Sequence, residues 1–364
     1  MLTMIQQIIL PYIILDKLPK LINNNIIFNQ TNIMTQYYIN NIQTKSILEV
    51  LDKCENKILT RLLNILNNSN SYYNISNKYL EYLEILNIQL IDINQKIEIM
   101  FYTNNEQNNI LHAVKDICKF KNIEFTIKEN NENLIYNEII NKFKTENKKT
   151  TNIIFYDLIE ENIIEYNEIL LNLSNILYNL KLNGNLILCL NDTHTTIMID
   201  ILFLLNILFK KVYISRPLIM NTHNKYRYVV CKNLQHNISS FELVNLFNYA
   251  YHKIIISKNT QYMLLDKHKI LDYKIPVFFK HKLNDINCIY GQQILENTML
   301  FLNNKQHEIA IYYKNLLNIV NDWIELHKIY LPFKISDVNI SNDINLLINN
   351  IIYQLEKNTE TVES

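Results

Sequence analysis

The chain has 364 residues, carries 35 basic and 35 acidic side chains, and is 48% hydrophobic. This length suits one large or two modest domains with ample core material, and the balanced charge gives no overall attraction to nucleic acid or to an anionic membrane. Only Gly184 and Gly291 are glycines, where average usage gives roughly 25 in a chain of this length. A P-loop, or a glycine-lined loop for a nucleotide or S-adenosylmethionine, is therefore not expected.

The cysteines and the N-terminus also exclude several classes. The five cysteines are widely spaced and form no CxxC pair, so they indicate neither a zinc site nor a disulfide framework, and they suit a reducing compartment. The N-terminal apolar run is interrupted by Pro11 and is too short to span a bilayer. Because it also lacks the features of a signal peptide, we expect it to pack against the rest of the protein.

Residues 1–95 are predicted to form a helical N-terminal region, with one helix near 77–86. From residue 96 onward, strands and helices alternate. The apolar patterns predict strands over 97–103, 123–129 and 151–157 and helices over 109–120, 134–144 and 161–182. Strands alternating with helices of this length indicate βαβ units and a mainly parallel sheet.

Residues 183–233 form the best-defined part of the pattern. An Asn-Gly turn precedes a strand over 186–190, and a helix follows over 195–209. Strands over 210–215 and 226–231 are joined by a short connection, so we expect them to pair antiparallel at an edge of the sheet. From 236 to 364 the pattern is helical, with helices predicted over 241–249, 289–330 and 340–355.

Three segments of this stretch resemble a known family. LNGNLILCL, LFKKVYISRP and KYRYVVCKN are similar to the FtsJ-like (RrmJ-like) ribose 2′-O-methyltransferases, closest to the FtsJ-like domain proteins of large cytoplasmic DNA viruses of the African swine fever virus type. The resemblance implies an α/β, Rossmann-like methyltransferase sheet, mainly parallel with an antiparallel last strand. It assigns this domain to 96–235, flanked by helical regions over 1–95 and 236–364.

The family's catalytic set is Lys-Asp-Lys-Glu, which activates the ribose 2′-hydroxyl for methyl transfer. The resemblance carries the first lysine to Lys115 and the aspartate to Asp157, as catalytic remnants. It carries the second lysine to Cys189 and the glutamate to Tyr226, where neither side chain can do the family's chemistry. Read without the family, Lys115 is a solvated lysine, Asp157 caps the next helix, and Cys189 is a small buried strand residue.

Basic residues alternate with tyrosines over 210–232. Arg216, Lys225 and Arg227 are candidates for a residual RNA-binding edge, and a solvated sheet edge protected by charge is the alternative. His194, His223 and His236 follow no metal-ligand spacing, so no metal site is predicted.

The sequence therefore yields one leading hypothesis and two alternatives. The first is a pseudoenzyme with an FtsJ-like methyltransferase fold, which needs no cofactor and acts as a structural or stimulatory partner in mRNA capping or RNA modification. Its expected partners are a viral capping enzyme or another protein, with RNA contact open and no membrane, in the host cytoplasm (a viral factory) or the virion. The second is an active S-adenosylmethionine-dependent 2′-O-methyltransferase using Lys115, Asp157 and Arg216. The third is a virion component without RNA or cofactor.

Overall fold

The computed structural model describes a little over half of the chain. The described residues are 7–13, 63, 75–89, 96–103, 107–128, 150–157, 166–190, 193–220, 226–235, 239, 242–250, 270–302, 311, 315, 318–320, 322–326, 346 and 350. The helix predicted over 134–144 lies outside them, as does nearly all of the one predicted over 340–355.

The described strands form one seven-stranded mixed sheet in the order β1-β6-β7-β5-β4-β2-β3. Their bounds are Gln7–Ile9 (β1), Ile97–Thr103 (β2), Phe125–Lys128 (β3), Thr151–Asp157 (β4), Leu180–Leu190 (β5), Phe209–Ser215 (β6) and Arg227–Leu234 (β7). Strands β3, β2, β4 and β5 pair in parallel, whereas β7 is antiparallel to both β5 and β6. The fold is thus α/β with a parallel central portion, compatible with a Rossmann-like architecture.

Helices cover both faces of this sheet. Their bounds are Asn77–Gln89 (α1), Gln107–Lys121 (α2), Tyr166–Asn179 (α3), Thr196–Leu208 (α4) and Val277–Leu302 (α5), and residues 242–250, 318–320 and 322–326 are also helical. Helix α4 is apolar around its whole circumference and almost entirely buried, as expected for a helix enclosed by other elements. Thr195 caps it, since its hydroxyl accepts a hydrogen bond from the Met198 amide.

Side-chain alternation along the strands separates two hydrophobic cores. One core lies under α1 and α2 and contains Phe101, Phe155, Ile187 and Val230; we call this side the α1 face. The other lies under α3, α4 and α5, and we call it the α5 face. Successive strand residues point to opposite faces, so neighbours in one strand contribute to different cores.

Two predicted features are corrected here. The helix predicted over 161–182 ends at Asn179, because Leu180 already pairs with Thr151 in β5. The Asn-Gly turn lies inside β5 as an irregularity, with Asn183 at φ 60° and a register shift against β4. Glycine is needed beside it, since a Cβ on Gly184 would lie 2.8 Å from the Lys181 carbonyl oxygen.

The predicted antiparallel pairing of β6 with β7 is confirmed, but these strands do not form the edge of the sheet. Strand β7 lies between β5 and β6, and β1 pairs antiparallel with the outer side of β6. The division at residues 95 and 235 stays a prediction. Described residues from both flanks, such as β1 and the buried Trp323, nevertheless pack against the central sheet region.

Candidate functional site

The carboxyl ends of β4 and β5 meet the beginning of β7 at one edge of the sheet. Cys189 and Leu190 in β5 pair with Tyr228 and Arg227 in β7. Alternation directs Cys189 and Tyr228 to the α1 face, and Asp157 ends β4 with 6% of its surface exposed. In open α/β sheets, ligands and catalytic groups lie at these strand ends, so this edge is the candidate site.

Helix α1 brings a lysine to this edge. Ser76 accepts a hydrogen bond from the Tyr79 amide at the start of α1, and Lys78 stands in the first helical turn. The Lys78 ammonium lies 3.4 Å from the Asp157 carboxylate and donates to the Tyr228 hydroxyl at 3.2 Å. It also lies 3.8 Å from the centre of the Tyr226 ring, close enough for a cation–π interaction.

Helix α1 also supplies the second carboxylate. Lys78, Glu81 and Tyr82 are three and four residues apart and therefore share one side of the helix. The Glu81 carboxylate lies 3.7 Å from the Lys78 ammonium and accepts hydrogen bonds from the hydroxyls of Tyr226 and Tyr228, each at 2.8 Å. The Tyr82 hydroxyl donates to the Asp157 carboxylate. We call the set Lys78, Glu81, Tyr82, Asp157, Cys189, Tyr226 and Tyr228 the strand-end cluster.

The surroundings keep Lys78 protonated. Burial alone would lower its pKa, but the anionic forms of Cys189, Glu81 and Asp157 outweigh burial and raise the pKa above the ordinary lysine value. Burial raises the pKa of Glu81, although Lys78 and the two tyrosine hydroxyls oppose that shift. A lysine whose pKa is raised cannot serve as a general base near neutral pH.

The cysteine in the cluster is chemically quiet. Cys189 is 1% exposed, and burial raises the pKa of its thiol well above the usual range, with the Asp157 carboxylate adding to the shift. A thiol kept neutral in this way is a weak nucleophile and a weak metal ligand. Within the described residues, no group of three His, Cys, Asp or Glu side chains is placed to hold a metal ion.

Three of the four positions carried over from the family lie together in this cluster: Asp157, Cys189 and Tyr226. The fourth, Lys115, is an exposed residue of α2, and Lys78 is the lysine beside Asp157. Lys78 was missed because Lys115 was sought after the first strand of the domain, whereas α1 precedes that strand. The signal that could have found it is a lysine followed by a glutamate one turn later, in a predicted helix just before the strand Ile97–Thr103.

The predicted basic edge is only partly where the sequence placed it. Arg227 is 7% exposed and points to the α5 face, so its guanidinium is not part of an exposed basic edge. Arg216 is half-buried, and Lys225 lies outside the described residues.

Arg227 instead belongs to a second polar cluster on the α5 face. Its guanidinium donates to the Thr193 hydroxyl at 2.8 Å and to the Asn287 side-chain oxygen at 2.6 Å, and it lies 4.7 Å from the Tyr290 ring centre. The Asn287 amide donates back to the Thr193 carbonyl at 3.1 Å. We call Thr193, Arg227, Asn287 and Tyr290 the α5 cluster; it fixes α5 to the same sheet edge from the opposite side.

Comparison with known proteins assigns no family. No protein-family model matches the chain, and no curated protein matches it. In the part of the chain that the structure describes, no helix is both long and apolar enough to cross a bilayer.

Proposed function

We propose that the chain is a methyltransferase-fold protein that has lost methyl transfer and serves mRNA capping or RNA modification as a structural or stimulatory partner of a catalytic protein. The observation that carries this proposal is the state of Lys78. Its ammonium is held beside two carboxylates at the strand ends, where an FtsJ-like base would have to become neutral.

The replacements around Lys78 support the loss of chemistry. In the FtsJ-like set, a second lysine lowers the pKa of the first by charge repulsion. The corresponding position is Cys189, whose neutral thiol supplies no such repulsion. The glutamate position is Tyr226, which donates to Glu81 of α1, so a carboxylate has entered the cluster from a different element. These changes turn a titrating set into a stable ion-pair cluster.

Exposed apolar side chains supply material for a protein partner. Val277 and Phe278 are adjacent in the first turn of α5 and are 60% and 55% exposed. Large apolar side chains in this position provide contact area for association. We therefore assign the partner surface to the beginning of α5.

Two measurements test this function. Isothermal titration with S-adenosylmethionine should give no binding, and the purified protein should transfer no methyl group to capped RNA. In a co-purification with a capping-enzyme catalytic subunit, Phe278→Asp should weaken association, whereas Phe120→Asp, which alters an equally exposed phenylalanine on α2, should not. Tight cofactor binding, or association unaffected by Phe278→Asp, contradicts the proposal.

A second candidate is an active RNA 2′-O-methyltransferase built on Lys78 and Asp157. The 3.4 Å approach of these side chains at a strand end favours it, since it reproduces one lysine–aspartate pair of the family set. It requires methyl transfer that is abolished in both Lys78→Met and Asp157→Asn and retained in Lys115→Met. Absence of transfer from the unaltered protein excludes it.

A further inference from the structure

Helix α1 carries another buried acid, outside the strand-end cluster. Glu84 is 2% exposed and lies one turn after Glu81. Both of its carboxylate oxygens accept from the Leu218 amide at 3.0 Å, and Oε2 also accepts from the Trp323 indole N–H at 3.1 Å. One side chain therefore joins α1 to the connection between β6 and β7 and to a helical segment near the C-terminus.

That segment depends on few anchors. We call residues 318–320 and 322–326 the Trp323 segment; its buried members are Val320, Trp323 and Ile324, which pack in the α1-face core. Trp323 is 0% exposed, so its indole N–H is removed from water and needs an acceptor. Glu84 is that acceptor, and the packing of the segment is tied to the state of this carboxyl group.

Several charged groups surround the joint. They are Lys78 and Glu81 on α1; His112, Lys115 and Asp116 on α2; Arg216 and Tyr226 at the connection between β6 and β7; and Asp322 and Glu325 on the Trp323 segment. Burial raises the pKa of Glu84 to about 7, opposed by the N–H donors of Leu218, Ile219 and Trp323, while the charge of Glu81 raises it further. Asp322 and Glu325 are exposed to solvent, so Glu84 is the buried acid of this joint.

We propose that Glu84 is a proton-controlled latch, which holds the Trp323 segment closed on α1 when protonated and allows it to open when ionised. Once the segment opens, water reaches the carboxyl group and its pKa returns toward the ordinary value for glutamate. Ionisation therefore favours the open state, because the open state solvates the charge that the closed state buries. Above about pH 7 the open population should rise about tenfold for each pH unit, and below that pH it should level off.

The protein carries its own probe for this opening, because Trp323 is the single tryptophan of the chain. Hydrogen exchange of its indole N–H, followed by NMR on the full chain, gives one resonance whose protection reports the closed state. After correction for intrinsic exchange, and where reclosing outpaces exchange, protection should fall about tenfold per pH unit above about pH 7. Glu84→Gln should remove this pH dependence, and Asp322→Asn, which alters an exposed acid beside Trp323, should keep it.

Each outcome decides the proposal. Constant indole protection from about pH 5 to 9 in the unaltered protein overturns it, and this measurement needs no variant to fold. Loss of the pH dependence in Glu81→Gln, with its retention in Glu84→Gln, assigns the proton to Glu81 and also overturns it. Cofactor binding and methyl transfer do not enter these readouts, so the latch stands or falls independently of the proposed function.

Discussion

Two polar clusters occupy the same edge of the sheet on opposite faces, and they handle a buried cation in different ways. The strand-end cluster surrounds Lys78 with the carboxylates of Glu81 and Asp157. The α5 cluster surrounds Arg227 with the neutral groups of Thr193 and Asn287 and the ring of Tyr290. The adjacent residues Arg227 and Tyr228 separate them, because alternation along β7 sends one to each face.

The difference teaches where charge is essential. Removing Lys78 would leave two buried carboxylates without their cation, whereas removing Arg227 would leave Thr193 and Asn287 still bonded to each other. A buried charge without a partner costs far more than a neutral pair left intact. The two clusters should therefore respond very differently to loss of their cations.

Loss of the lysine should have the largest effect. Lys78→Met should lower the free energy of unfolding by about 3–5 kcal/mol near pH 8, because Glu81 and Asp157 then repel each other in a buried site. Urea denaturation measures this change. Lys115→Met is the matched control on the exposed side of α2, and its effect should stay within about 0.5 kcal/mol. Equal effects of the two variants would remove the distinction between these lysines.

Glu84, which lies in neither cluster, should give the next largest effect, with a defined pH dependence. Its pKa is about 7 in the folded protein against 4.5 for the model value. Because the folded value is raised, the stabilising contribution of protonated Glu84 is complete below the unfolded pKa and is lost as the pH rises through about 7. At about 1.4 kcal/mol per pKa unit, this contribution is about 3 kcal/mol.

Glu84→Gln tests that sign. Between about pH 5 and 9, the unaltered protein should lose about 3 kcal/mol of unfolding free energy relative to the variant. Denaturant titrations at a series of pH values measure the difference between the two proteins. A difference that is constant with pH, or that changes in the opposite direction, would show that Glu84 is not protonated in the folded state.

Loss of the arginine should have the smallest effect of the three. Arg227→Met keeps the apolar stem of the side chain and leaves the Thr193–Asn287 hydrogen bonds in place, so the expected cost is about 1–3 kcal/mol. The same denaturation experiment, with Lys78→Met as the comparison, measures it. A cost for Arg227→Met as large as that for Lys78→Met would mean that the neutral partners do not sustain each other.

The sequence predicted the strands and the positions at their ends, because these depend on local patterns. The apolar stretches at Ile97–Thr103 and Thr151–Asp157 specify buried strands, and a residue at the end of such a strand reaches the sheet edge. Asp157 and Cys189 were accordingly placed in one site. The bulge at Asn183 and Gly184 was taken for a turn, since the same residue pair serves both structures.

Features set by packing between distant elements could not be predicted in this way. Lys78 acquires its role only when α1 packs over the strand ends, and nothing in its neighbourhood specifies that position. Arg227 looked exposed because it stands among basic residues, but one step of strand alternation directs it inward. Glu84 became notable only through Leu218 and Trp323, which come from remote parts of the chain.

The central claim is that Lys78 is a permanent cation in a structural cluster and not a base for methyl transfer. Its most direct test is the pKa of Lys78, measured by NMR titration of the side-chain carbon next to the ammonium, with the resonance assigned by Lys78→Arg. We predict a value above the ordinary lysine pKa of about 10.4, with no titration near neutral pH. A value depressed toward neutrality would contradict this account, because Lys78 would then be able to accept a proton from a ribose hydroxyl.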